Sequence, residues 1–169
     1  MTKSSMIGMV ALGAAGLAVL TGPEDAPLRI AQAAAQTAPS AISEAQDVND
    51  AAGVVAEIVQ CKRDSAGVLS IRMRFRNTGN AEVTLGVIKG ANYDQYYVTG
   101  GNKKYFVLRD SEKIPLANPF NDGSWVSAKI PKGGTFTWFA KYPAPPAEVK
   151  KINYYTPLTT PFEDVPITD

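Results

Sequence analysis

Two groups of side chains in this chain have types and spacings suited to chemistry. Tyr93, Tyr96, Tyr97 and Tyr105 crowd one stretch that turns around Gly100-Gly101. A tyrosine offers a large, rigid ring with a polar tip, so this cluster on a glycine-bearing loop is a candidate recognition surface. The plainer alternative is that the rings serve as core and edge cover of a sheet. Arg72, Arg74 and Arg76 form the second group. On a strand they stand about 7 Å apart along one face, given a rise of about 3.3 Å per residue. Three guanidinium groups in a row suit a phosphate, sulfate or sugar-acid ligand. The pattern favours the plainer reading, a solvated sheet face with Glu57 as ion partner.

The composition speaks against catalysis. There is no histidine, which removes the commonest general base and the commonest zinc and copper ligand. Serine triads, cysteine–histidine dyads and imidazole metal sites cannot be built, and one cysteine cannot supply a thiolate site. Asp94, Asp110 and Glu112 flank the tyrosine stretch, and Glu163-Asp164 lie further on. Two carboxylates on opposing loops are the tools of a glycoside hydrolase or a calcium site. Neither spacing matches a ligand loop, and Asp47-Val48-Asn49-Asp50 lacks the remaining positions of a calcium-binding hand. No phosphate-binding or dinucleotide glycine motif is present. The expectation is therefore a protein that is not an enzyme, with no catalytic residues, no metal and no cofactor. A formal net charge of +1 provides no global field for nucleic acid. Lys103-Lys104 and Lys150-Lys151 read as solubility and edge protection.

The elements that must position these groups are strands. From Gly53 onward, runs of Val, Ile, Thr and aromatics alternate with Gly, Asn, Asp and Pro clusters, and no long helical period survives. The runs predict strands over 54–61, 68–77, 83–88, 95–98, 104–109, 125–130, 135–142, 149–155 and 165–167. Leu69, Ile71, Met73 and Phe75 alternate with Ser70, Arg72, Arg74 and Arg76, so this strand has one core face and one wet face. Pairing Ile58 with Ile71 places Val54 and Ala56 inward and Glu57 opposite Arg72. That register turns Cys61 outward, near the sheet edge. Cys61 otherwise reads as a small buried hydrophobe, or as the source of an intermolecular disulfide. Trp125 and Trp138 read as core or corner aromatics. Short strands divided by turn residues predict an all-β, antiparallel β-sandwich of about seven to nine strands.

The start of the chain suggests a compartment. Lys3 followed by the uncharged, mostly apolar run Met6–Leu20 has the pattern of a secretory signal peptide. The run is shorter than the roughly 20 residues that span a bilayer. Ala31-Gln32-Ala33 and Ala33-Ala34-Ala35 both offer the small residues of a cleavage site, and a retained leader acting as a loose anchor is the alternative. No cysteine follows the run, which excludes a lipoprotein signal. Residues 34–50, rich in Ala, Gln and Ser, read as a flexible spacer with a helical turn near Ile42–Val48. The expected organisation is a signal peptide over 1–33, a spacer over 34–50 and a sandwich over 51–169.

Two segments carry a resemblance. One is Lys104-Tyr105-Phe106-Val107-Leu108-Arg109-Asp110, followed by Pro115-Leu116-Ala117. The other is Phe136-Thr137-Trp138-Phe139-Ala140-Lys141-Tyr142-Pro143-Ala144-Pro145-Pro146, running through Val149 and Ile152 to Pro161-Phe162-Glu163-Asp164-Val165-Pro166-Ile167. With the Arg-Phe-Arg-Asn-Thr-Gly turn at 74–79, these stretches resemble an immunoglobulin-like domain of exported bacterial envelope proteins. That domain occurs alone or ahead of a peptidoglycan-binding domain of the outer-membrane protein A type. The resemblance covers nearly the whole of 51–169 and implies fold and compartment. It implies no activity, and attachment to the cell wall through a second domain is not carried over. The combined expectation is a periplasmic or secreted, non-catalytic module acting by contact with an envelope protein or glycan. It would touch the membrane only through the leader before cleavage. Its rivals are a structural subunit of an envelope complex, marked by an exposed apolar patch, and a carboxylate-based glycan hydrolase.

Overall fold

Period-2 alternation of apolar and polar residues underlies the strands of the folded region, interrupted at three places by an irregular register. A computed structural model describes residues 38–89, 92–118 and 125–169. The expected signal peptide, the first residues of the spacer, the Asn121-Asp122-Gly123 turn and the side chain of Trp125 lie outside the described residues. Among the described residues the strands are β1 (Gln46–Asp47), β2 (Val54–Arg63), β3 (Val68–Asn77), β4 (Val83–Lys89), β5 (Tyr97–Gly100) and β6 (Lys103–Phe106). They continue as β7 (Ala117–Asn118), β8 (Trp125–Ile130), β9 (Thr135–Pro143), β10 (Lys151–Tyr155) and β11 (Phe162–Pro166), with one 3-10 turn at Tyr93–Gln95. All named strand pairings are antiparallel. None of the described helices is long and apolar enough to cross a membrane.

The strands form a five-stranded sheet in the order β1-β2-β3-β9-β7, a four-stranded sheet in the order β11-β10-β5-β6, and a ribbon β4-β8. Their inner faces share one core in a sandwich-like, all-β arrangement. Trp138, Tyr142, Ile58, Leu69, Ile71 and Met73 from the first sheet meet Val98, Ile152, Tyr154 and Phe162 from the second, and Leu85, Ile88 and Ile130 enter from the ribbon. Tyr96 packs on Trp138 at 4.6 Å between ring centroids, and Tyr142 meets Tyr154 edge-on at 6.2 Å. Such offset and edge-to-face contacts add to the burial of these rings.

The expected strands each overlap an observed one, and β3 and β8 have the expected bounds. The register of β2 on β3 does not hold as expected. Ile58 pairs with Met73, Glu57 with Arg74 and Cys61 with Ile71, with an irregularity between Ile58 and Gln60. The extra residue at this bulge reverses the alternation. Val54, Ala56 and Ile58 point inward before it and Cys61 after it, so Gln60 and Lys62 escape burial. Cys61 is therefore a core residue, 0% exposed, not an outward one, and it cannot reach a second chain. Burial pushes its thiol up to about 12, against a smaller opposing effect of Arg63.

Two further irregularities do the same work. One between Gly86 and Ile88 lets Leu85, Val87 and Ile88 all enter the core. The other, between β10 and β11, keeps both Phe162 and Val165 inward. Asp164 takes up the extra residue there with φ 53°, and its N–H donates to Asn153 Oδ1 at 3.0 Å. Asp tolerates this left-handed backbone better than most side chains.

The helical turn expected near Ile42–Val48 is not formed. Ile42 N–H donates to the Ile58 carbonyl at 2.7 Å, Ile58 N–H donates to Ser43 Oγ at 2.9 Å, and β1 pairs with β2. With Val48 and Ala51 buried, residues 42–51 of the chain belong to the sheet edge and core. Ala/Gln/Ser content signals a spacer only where no edge strand offers unpaired backbone groups, and β2 offers them.

Candidate functional site

The sheet β11-β10-β5-β6 buries one face and presents the other. Along β5, Val98 is buried while Tyr97 and Thr99 are not; along β10, Ile152 and Tyr154 are buried while Asn153 and Tyr155 are not. Cross-strand register then assembles two rows on the outer face. Phe106 lies opposite Tyr97, which lies opposite Tyr155; Lys104 lies opposite Thr99, which lies opposite Asn153.

The first row is aromatic. Tyr97 and Tyr155 stack with centroids 4.6 Å apart and an interplanar angle of 10°, and Phe106 tilts against Tyr97 at 6.2 Å. Lys104 Nζ sits 3.4 Å from the centre of the Tyr97 ring and 5.1 Å from that of Phe106. A cation over a ring face is attracted by the ring quadrupole, which fixes this flexible side chain and its charge. Tyr97 is thereby covered on both faces. The row offers ring edges, hydroxyl tips and the ring of Phe106, the one exposed large hydrophobic side chain among the described residues, at 43%.

The second row leads into a depression of about 460 Å³ beside the hairpin turn, lined by Thr99, Lys103, Lys104, Lys151 and Asn153 among others. The turn itself is built for tightness. Gly101 and Asn102 have φ of 57° and 61°, the pair of positive angles of a two-residue hairpin that follows the strand twist. Gly100 packs so closely that a Cβ would meet Ile152 and Val149 at 3.1 and 3.2 Å. Val149 is held in turn by Arg63, whose Nη2 donates to its carbonyl at 2.7 Å. A partly buried arginine thus braces the loop on which the hairpin rests.

Of the four candidate tyrosines, one reaches this face. Tyr93 and Tyr96 are core residues, 2% and 1% exposed, and the Tyr96 hydroxyl donates to the Val87 carbonyl. They are corrected from surface to core because the 3-10 turn at 93–95 bends the chain before β5 begins and folds both rings under the sheet. Tyr105 is partly buried and packs against the core from the inner side of β6. Tyr97 is joined instead by Phe106 and Tyr155, which the tyrosine count missed. A usable signal was there: Tyr105-Phe106 and Tyr154-Tyr155 are adjacent pairs, and alternation sends one member of each to the outside.

The arginine stripe is on the outer face of β3, as its alternation requires, but Glu57 engages it. Arg74 Nε donates to Glu57 Oε1 at 2.8 Å, with side-chain exposures of 16% and 9%. Arg74 Nη1 also donates to the Pro39 carbonyl at 2.8 Å, and Arg76 Nε lies 3.8 Å from the same Glu57 oxygen. Arg72 is exposed between Gln60 and Phe139. Arg74 thus ties the segment before β1 to the sheet, while Arg72 and Arg76 remain exposed on its outer face.

The candidate carboxylates are tied to loop structure. Asp110 Oδ1 accepts from the N–H groups of Glu112 and Ile114 at 2.9 and 2.8 Å, which closes its own turn. Asp94 faces Arg109 at 3.6 Å. Among the described residues no three His, Cys, Asp or Glu side chains converge as a metal site. No protein-family model matches the chain, and no curated protein matches it.

Proposed function

We propose that this protein is an exported, non-catalytic module of the bacterial cell envelope, an immunoglobulin-like β-sandwich that binds a glycan through the outer face of β5, β6 and β10. The observation that carries this reading is the ordered row Phe106–Tyr97–Tyr155 with Lys104 laid across it, next to a row of hydrogen-bonding side chains. Rings and polar groups already held in place lose little freedom on binding. The face sets hydroxyl, amide and lysine groups beside its aromatic row, and Phe106 is the one exposed large hydrophobic side chain among the described residues. A stable protein interface has an apolar, desolvated centre, so a glycan fits this face better than a protein does. The same feature disfavours a structural subunit, which needs a larger apolar patch. The apolar run after Lys3 supports export, and the burial of Trp138 between the sheets is in keeping with an immunoglobulin-like core.

The test is sedimentation of the full chain with purified, insoluble cell-wall polysaccharide. Wild type is expected to pellet with it, and a variant carrying Tyr97→Ala, Phe106→Ala and Tyr155→Ala is expected to stay in the supernatant with an unchanged circular dichroism spectrum. Equal pelleting of both proteins would remove this face from consideration.

A further inference from the structure

The depression beside the hairpin turn is the most chemically defined feature outside the aromatic row. Three lysines line it, Lys103, Lys104 and Lys151, and among the described residues no carboxylate does. Its other polar side chains, those of Thr99, Asn102 and Asn153, are all able to donate. Thr99 contributes a hydroxyl. Asn153 uses Oδ1 to accept from the Asp164 N–H, which leaves its amide N–H2 to donate. Asn102 adds a second amide from the turn.

A donor-rich hollow without an acceptor carboxylate complements an anion. Lys104 belongs to both parts of the face, since it lines the depression and caps Tyr97. The two rows are two residues apart on each strand, about 7 Å at the usual rise. One linear ligand can therefore lie across the aromatic row and place a charged substituent in the depression. Lys151 has a partner, Asp164 Oδ1 at 3.9 Å, but both side chains are largely exposed. Exposed pairs of this kind are weak and readily exchanged for a ligand oxygen.

We infer that this depression selects glycans bearing anionic substituents, the carboxylates of sugar acids among them, with Lys103 and Lys151 as the specificity-determining residues and Thr99 and Asn153 as hydrogen-bond donors. The inference rests on the glycan-binding reading of the same face and adds to it the charge of the ligand. Hot-spot chemistry of the aromatic row supplies affinity for the polymer, while the lysines discriminate between neutral and acidic chains. Lysines act here as point charges, so the discrimination must weaken with salt.

Isothermal titration of the full chain with tetragalacturonate, and with the same oligosaccharide after carboxyl reduction to the neutral sugar, separates the two levels. At low ionic strength the acidic oligosaccharide is expected to bind about tenfold more tightly, as two exposed charge contacts can supply. The double variant Lys103→Gln, Lys151→Gln is expected to lose that preference and keep the affinity for the neutral sugar. Lys104 is left intact because its removal would also disturb Tyr97. Equal binding of the two sugars by wild type overturns the charge selectivity and leaves the glycan reading standing. A preference that survives in the double variant overturns the assignment to this depression. Binding of neither sugar overturns the charge selectivity, and the glycan reading then falls only if the chain also fails to pellet with cell-wall polysaccharide.

Discussion

Raising the pH from 8 to 10 is expected to destabilise this protein through Cys61 in a way that a Cys61→Ala variant does not share. The thiol is buried, and its proton is held up to about 12, against an ordinary value of 9.0, because burial disfavours the thiolate. The unfolded chain releases that proton near pH 9 while the folded chain keeps it. The unfolded state then binds fewer protons, and stability falls as pH rises between about 9 and 12. Between pH 8 and pH 10 the loss from this one group comes to about 1.4 kcal/mol. Burial also holds the phenols of Tyr96, Tyr142 and Tyr154 above their ordinary range, which steepens the fall above pH 10 in both proteins. The assay is urea unfolding of the two proteins at pH 8 and pH 10, followed by tryptophan fluorescence. With a slope of about 2 kcal/mol per molar urea, the wild-type midpoint should drop roughly 0.7 M further than that of the variant. The substitution itself costs on the order of 1 kcal/mol at both pH values, from lost burial and a small cavity. Equal drops in the two proteins would mean that Cys61 is not sealed in the core, and the bulged register of β2 on β3 would be wrong.

Three other perturbations test separate parts of the structure. Arg74→Met leaves the largely buried Glu57 carboxylate with Arg76 alone at 3.8 Å. A cost of about 2–3 kcal/mol is expected, below that of a fully buried pair, and is readable as a shift in the urea midpoint at constant slope. The neighbours Tyr154 and Tyr155 should behave oppositely. Tyr154→Ala removes a fully buried ring and should cost about 3–5 kcal/mol, whereas Tyr155→Ala should lower thermal stability by under about 1 kcal/mol and act on binding. Asp164→Val puts a β-branched side chain at φ 53° and should lose about 1–3 kcal/mol, while Asp164→Gly should be nearly neutral, both measured by thermal unfolding.

How far the sequence could be read depended on whether a feature obeys a period. The alternation of Leu69, Ile71, Met73 and Phe75 against Ser70, Arg72, Arg74 and Arg76 gave β3 its bounds and its core face without ambiguity. The register of its neighbour could not be settled the same way. Arginines recur at every second position, so Glu57 finds a charge partner opposite Arg72 or Arg74 equally well, and the bulge near Val59 is an insertion that no two-residue period reveals. The orientation of Cys61 was lost with it. Burial of Tyr93 and Tyr96 depends on a single 3-10 turn, whose bend has no apolar pattern of its own. The aromatic row was half legible. Tyr97 was visible in the tyrosine cluster, but Phe106 and Tyr155 join it only through cross-strand pairing between segments far apart in the chain. Likewise, Ile42–Val48 reads as a spacer by composition and becomes sheet edge because β2 has backbone groups to satisfy.

The central claim, that the outer face of β5, β6 and β10 is the ligand-contacting surface, is tested most directly by amide chemical-shift mapping. The isotopically labelled full chain would be titrated with soluble fragments of cell-wall polysaccharide. Saturable shifts are predicted at Tyr97, Thr99, Lys104, Phe106, Asn153 and Tyr155, with the amides of Arg72, Arg74 and Arg76 on the opposite sheet unmoved. Shifts centred on the arginine stripe, or no saturable shifts on either sheet, would contradict the account.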